Sequence, residues 1–169
     1  MIGNRDGQIK IRIPLLGAAL ESGATSELVW AEPLGGNRYR VWNIPAFAYN
    51  LDLRAIVECV ADPSGEPPVA VRVVEPGDCY VVRLLFQPSA TDAQIEGVLE
   101  LLASRRAFVE KFTRTRWGVG LRSREDYEWI GEALQPFVEP GILGFESGLQ
   151  RDQPTLGGPS GNPTPGAPG

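Results

Sequence analysis

The sequence predicts an α+β protein in three parts: a small antiparallel β-sheet or partial barrel over residues 1–78, a ferredoxin-like βαββαβ unit over 79–149, and a disordered tail over 150–169. Three observations predict it. Between residues 8 and 74 lie about five short runs rich in β-branched and aromatic residues, and none with helical period. Residues 79–149 then read as strand, helix, strand, strand, helix, strand, the order of a split βαβ unit. The last 20 residues hold five prolines, five glycines and one large aliphatic side chain, Leu156, too little apolar surface to offset the entropy of ordering.

The first strand is expected in QIKIRIPLL, where Ile9, Ile11 and Ile13 alternate with Lys10 and Arg12 and Pro14 marks an edge. GAALESGATS, residues 17–26, reads as a loop of small and polar residues. Leu28 to Tyr49 then carries a hairpin around Leu34-Gly35-Gly36-Asn37, since glycine enters the φ > 0 turns that strand twist demands. With Gly35 and Gly36 as the loop, Glu32 pairs with Tyr39, Trp30 with Val41 and Leu28 with Asn43 on one face. Pro45 holds Ile44 extended and starts a corner. IVECVA and VAVRVV supply two more strands, separated by the turn-forming DPSGEPP and followed by the turn EPGD.

The second part opens with the strand YVVRLLF. Thr91 and Gln94 stand at capping-box spacing ahead of a helix whose apolar stripe is Ile95, Val98, Leu99 and Leu102. Phe108 to Phe112 and Trp117 to Leu121 are strands joined near TRTR. Ser123 is a helix N-cap, Tyr127, Ile130 and Leu134 line one face of the second helix, and Pro136 and Gly141 limit it. Ile142 to Ser147 closes the sheet.

Composition excludes more than it assigns. Histidine is absent, which removes imidazole general bases and the usual transition-metal sites; no metal and no cofactor is expected. Cys59 and Cys79 lack CxxC spacing and lie in apolar runs, so they read as buried reduced thiols. No apolar run is long enough for a membrane span, and MIGNRDGQIK is not a secretory leader, so no membrane association and a cytoplasmic location are expected. The net charge of −5 is uneven: Ser104 to Arg124 hold seven basic residues against one acid, Glu110. Gly118 and Gly120 in WGVGL form only GxG inside a strand, which fails the context a dinucleotide cradle needs.

The motifs WAEPL, RYRV, NIP, FAY and LDL ahead of IVE, together with Gly77 and Arg83 further on, stand in an order that resembles a bacterial family of unknown function, domain of unknown function 4265. The resemblance spans about residues 8–149. It departs from the family at Arg54-Ala55, where Gly-Asp is expected, with Asp52 nearby. The resemblance brings no assigned activity.

Two sets of residues are candidates for function. Trp30, Glu32, Tyr39, Asn43, Tyr49 and Asp52, with Glu58, combine aromatic walls and a few polar groups in the manner of a small-ligand pocket at the end of the first sheet. Alternatively the aromatics are core, Asn43 bonds backbone at the corner, and the carboxylates are solvated. The second set is Arg114, Arg116 and Arg122, sharing parity with Phe112 and joined by Trp117, on the open face of the second sheet. It suits a protein partner with an acidic surface, or less readily single-stranded RNA, because paired aromatic platforms are missing. The leading expectation is a non-enzymatic interaction or regulatory module, with a ligand-binding or enzymatic site around Glu32, Asn43 and Asp52 as the alternative.

Overall fold

The computed structural model describes residues 7–150 and 152–157. Its first half is a closed barrel of five strands, β1 (Ile9–Pro14), β2 (Ser26–Gly35), β3 (Arg38–Val41), β4 (Ile56–Val60) and β5 (Val69–Glu75). Neighbours pair antiparallel except at the seam, where β1 meets β5 in parallel at Arg12 and Val69. The Arg12 N–H donates to the Pro68 carbonyl there at 2.8 Å. Closure leaves no bare edge, and the alternation in each strand sends Ile11, Ile13, Val29, Ala31, Val41, Val57 and Cys59 into one buried interior. The stretch read as a loop after β1 contains a 3-10 turn, Gly17–Ser22, which places Ala19 against this core.

The hairpin is shifted by one residue from the expected register. Gly36 and Asn37, at φ +58° and +62°, form the two-residue turn, and Gly35, at φ +85°, forms a bulge beside it. Ala31 therefore faces Val41, Glu32 faces Arg40 and Pro33 faces Tyr39. Asn37 tolerates the left-handed conformation better than most residues that carry a Cβ, so three adjacent residues competed for the turn. Because side chains alternate, the slip reverses faces: Tyr39 and Val41 point inward while Trp30, Glu32 and Arg40 point out.

The second half is a four-stranded antiparallel sheet of β6 (Tyr80–Phe86), β7 (Phe108–Lys111), β8 (Arg116–Leu121) and β9 (Leu143–Ser147), in the order β7-β8-β6-β9. Helix α1 (Asp92–Ser104) connects β6 to β7; α2 (Arg124–Ala133) and the single turn α3 (Gln135–Val138) connect β8 to β9. The capping box at Thr91 and Gln94 and the Ser123 cap form as expected, and Pro136 opens α3 after α2 has ended. One sheet face, with Val82, Leu84, Phe86, Val119 and Leu121, packs on Ile95, Val98 and Leu102 of α1 and Ile130 of α2. No described helix is long and apolar enough to cross a membrane.

The other sheet face is not open. It is covered by the corner between β3 and β4, residues 43–50. Arg83, wholly buried on β6, donates to the backbone carbonyls of Pro45 and Ala48 and pairs with Glu146 of β9 at 3.3 Å. Arg116 donates to the Ala46 carbonyl at 3.3 Å and lies over the Phe47 ring, while Glu110 accepts from the Ile44 N–H at 2.9 Å. From the barrel side, the Glu27 carboxylate accepts from the N–H groups of Ala46, Phe47 and Ala48. The corner makes few ladder hydrogen bonds, so charged side chains from both halves satisfy its backbone. Gly118 belongs to this seam, since a Cβ there would lie 2.7 Å from the Ile44 side chain.

Of the stretch read as a tail, residues 152–157 lie against the barrel. Asn50 donates to the carbonyls of Gln150 and Gln153, the Gln153 side chain accepts from the Ala18 N–H at 2.8 Å, and Leu156 packs on the barrel core. The single aliphatic side chain of the stretch supplies the apolar contact. The tail reading for 151 and 158–169 lies outside the described residues.

Candidate functional site

Barrel and sheet meet at a cleft of about 340 Å³ lined by Asp52, the Gly77–Val81 segment, Arg122–Arg124, Tyr127 and Leu149. The turn from β5 to β6 builds one wall. Gly77 sits so close to the Leu53 carbonyl and the Asp52 side chain that a Cβ at this position would overlap both. Only glycine admits that approach, which carries Asp52 to the cleft. The opposite wall is Tyr80 of β6 stacked on Tyr127 of α2 at 5.3 Å between ring centres, with the Tyr127 hydroxyl donating to Ser147 at 2.9 Å. Arg122 and Arg124 stand at the end of β8 and the start of α2, on either side of the capping Ser123.

The charges in the cleft are unevenly compensated. Burial pushes the Asp52 carboxyl up to about 6, and among the described residues no hydrogen bond or ion pair reaches that carboxylate. The Arg122 guanidinium lies over the Phe108 ring at 4.6 Å, and Arg124 pairs with Glu128 one turn along α2 at 2.8 Å. The Cys79 thiol is pushed up to about 11, first by burial and then by the charge and hydrogen bond of Asp78, with Arg54 and Arg122 opposing. A thiol so held is a poor nucleophile at neutral pH. Among the described residues no group of three or more Cys, Asp or Glu side chains is placed to hold a metal ion. A second cleft, of about 480 Å³, shares Asp52 and Leu149 with the first and is walled in part by Gln153 and Thr155.

The residues expected at a ligand pocket are dispersed. Trp30 is on the outer barrel surface beside Lys10, and Glu32 pairs there with Arg40 at 3.0 Å. Tyr39 packs on the barrel core, and Glu58 pairs with Arg72. Asn43 is buried at the corner, accepting from the Trp30 N–H at 2.6 Å and donating to the Ile44 carbonyl. Tyr49 lies in the seam, its ring under Arg83 and its hydroxyl donating to Glu146 at 3.1 Å; burial and the Glu146 charge raise its pKa. Asp52 alone of this set lines the cleft between the two halves.

The basic set is dispersed as well. Arg114 is in the turn between β7 and β8, donating to the carbonyls of Pro88 and Ala90 ahead of α1. Arg116 is in the seam, and the Phe112 ring lies against Gly118 on the same covered face. Trp117 points the other way, edge-on to Phe86. Only Arg122 reaches the cleft. The sheet face on which RNA bases would stack is filled by residues 43–50. Cys79, Tyr80, Ser123, Arg124 and Tyr127 carried no sequence motif that marked them as a site; Ser123 was legible only as a helix cap, and Gly77 as a turn residue and as part of the family resemblance.

Comparison with known proteins fixes the family and says little of the chemistry. A solved structure titled "Novel crystal structure of a hypothetical protein from Neisseria gonorrhoeae" superposes with a TM-score of 0.68 at 15% identity, covering 83% of this chain and 95% of that one. At that identity the likeness concerns the fold. No curated protein matches the chain. The family pattern described as Domain of unknown function (DUF4265) matches residues 27–145, from the start of β2 into β9, and the chain belongs to that family.

Proposed function

We propose that this protein is a non-catalytic small-ligand-binding module whose site is the cleft where the barrel meets the sheet. The observation that carries the reading is Asp52: a carboxylate inside a concave, aromatic-walled cleft with no partner among the described residues. A half-buried carboxylate with no protein partner is free to accept hydrogen bonds or a positive charge from a molecule seated in the cleft. Binding without turnover is favoured because the protonated Cys79 thiol and a chain without histidine offer no activated nucleophile beside a base.

The architecture supports a division into a barrel unit, residues 1–78, and a ferredoxin-like unit, residues 79–149. The order β7-β8-β6-β9, with both connecting helices on one face, is the arrangement that reading requires. Ligand sites occur preferentially at junctions of this kind. Amide correlation spectra of the labelled protein, recorded against a set of small polar fragments, test the reading. Shifts gathered at Gly77–Val81 and Arg122–Tyr127 are expected; shifts confined to the outer barrel surface, or none at all, would reject it.

A further inference from the structure

Resting on the reading that this cleft binds a ligand, we infer that the ligand carries a cationic and an anionic group together and belongs to the class of small amino-carboxylic acids. Four charged side chains line the cleft, and two of them are already paired, Asp78 with Arg54 and Arg124 with Glu128; the other two, Asp52 from the barrel and Arg122 from the sheet, are of opposite sign and have no ion-pair partner among the described residues. Nine other arginines each hold a carboxylate, Arg124 beside it included. Nor do Asp52 and Arg122 neutralise each other, although both line the one cleft.

A lone cation drawn to Asp52 leaves Arg122 unanswered, and a lone anion drawn to Arg122 leaves Asp52 unanswered. A molecule that carries both an ammonium and a carboxylate gains both attractions. Its carboxylate would meet the fork of Arg122, the geometry in which guanidinium binds best. The volume, about 340 Å³, is near the lower end of ligand pockets, which run from about 300 Å³ upward, and suits an amino acid or dipeptide. The stacked pair Tyr80 and Tyr127 and the exposed Leu149 offer an apolar surface for its side chain.

Calorimetric titration of the full chain tests this, using the common amino acids and their dipeptides as probes, with propylamine and propionate as single-charge controls. The tightest zwitterionic probe is expected to bind at least about tenfold more strongly than either control, the worth of one charge-assisted contact. Its N-acetyl and methyl-ester derivatives, which delete one charge each without touching the protein, should each lose about tenfold. Asp52→Asn and Arg122→Gln should do the same, with Asp52→Asn keeping the wild-type melting temperature or exceeding it and Arg122→Gln still folding cooperatively after losing its contact with the Phe108 ring. Single-charge compounds binding as tightly as the zwitterion, with affinity lost in Asp52→Asn, would overturn the ligand class and leave the cleft a binding site. No heat from any probe would overturn both.

Discussion

Arg83 and Glu146 face each other across β6 and β9 and pair at 3.3 Å, with the Arg83 guanidinium over the ring of Tyr49. Arg83 is completely buried, and its remaining donors hold the carbonyls of Pro45 and Ala48, so one guanidinium joins the sheet to the corner that closes the barrel. Its removal strands two buried acceptors and half of an ion pair. Arg83→Met should lower stability by about 3 kcal/mol in chemical denaturation. Tyr49→Phe, which deletes only the 3.1 Å hydrogen bond to Glu146, should cost about 1 kcal/mol. A loss from Arg83→Met no larger than that from Tyr49→Phe would remove Arg83 from its place at the centre of the seam.

Asp52 should give stability a distinctive pH dependence. Its folded value, about 6, stands above the ordinary 3.8, so the folded protein binds the proton more tightly than the unfolded chain. This contribution is therefore fully present below the ordinary value, declines as pH rises through about 6, and is absent above it. Asp52→Asn should be more stable than wild type above that pH by about 1–2 kcal/mol, after discounting for partial solvent screening, and equal to it near pH 4. Thermal unfolding of both proteins across this range measures the difference; parallel curves would show that the carboxylate is not desolvated.

The seam at Gly118 should reject even a methyl group. With the added carbon 2.7 Å from the Ile44 side chain and 2.9 Å from the Phe112 ring, Gly118→Ala should cost about 1–3 kcal/mol through overpacking. Gly144→Ala, on β9 with nothing within 4 Å of the added carbon, serves as the control and should change stability by less than about 0.5 kcal/mol. Equal midpoints for the two in urea would mean that the corner does not pack on β8.

Neither thiol should react in the folded protein. Cys59 and Cys79 are 1% and 6% exposed, and burial, the leading cause at both, pushes them up to about 12 and about 11. A disulfide dye should modify neither at pH 7.5 within the time that denaturant exposes both. Fast labelling of Cys79 alone would reveal a cleft more open than described and revive the thiol as a reactive group.

Strand positions and caps were legible because they depend on local spacing: Ile11 and Ile13, the Thr91–Gln94 box and Ser123 all state their roles within a few residues. The hairpin register was not, since Gly35, Gly36 and Asn37 can each take φ > 0 and the choice among them is made by how Val41 and Ala31 fill the barrel. The open basic face failed for a different reason. Parity placed Arg116 and Phe112 together correctly, but nothing local in TRTRWGVGL says that residues 43–50, some 70 positions earlier, cover that face. The cleft is the extreme case: Asp52, Gly77, Arg122 and Tyr127 come from four segments, and only the packing of barrel on sheet makes them neighbours. Family resemblance drew attention to Gly77 and Arg83, one beside the cleft and the other in the seam, without saying what either does.

The central claim is that the Asp52–Arg122 cleft holds the ligand, and a crystal structure of the protein soaked with its tightest zwitterionic probe tests it most directly. Density is expected between Tyr80 and Arg122, with the ammonium within hydrogen-bonding distance of the Asp52 carboxylate and the carboxylate on Arg122. Density on the outer barrel surface, with the cleft unchanged, would contradict it.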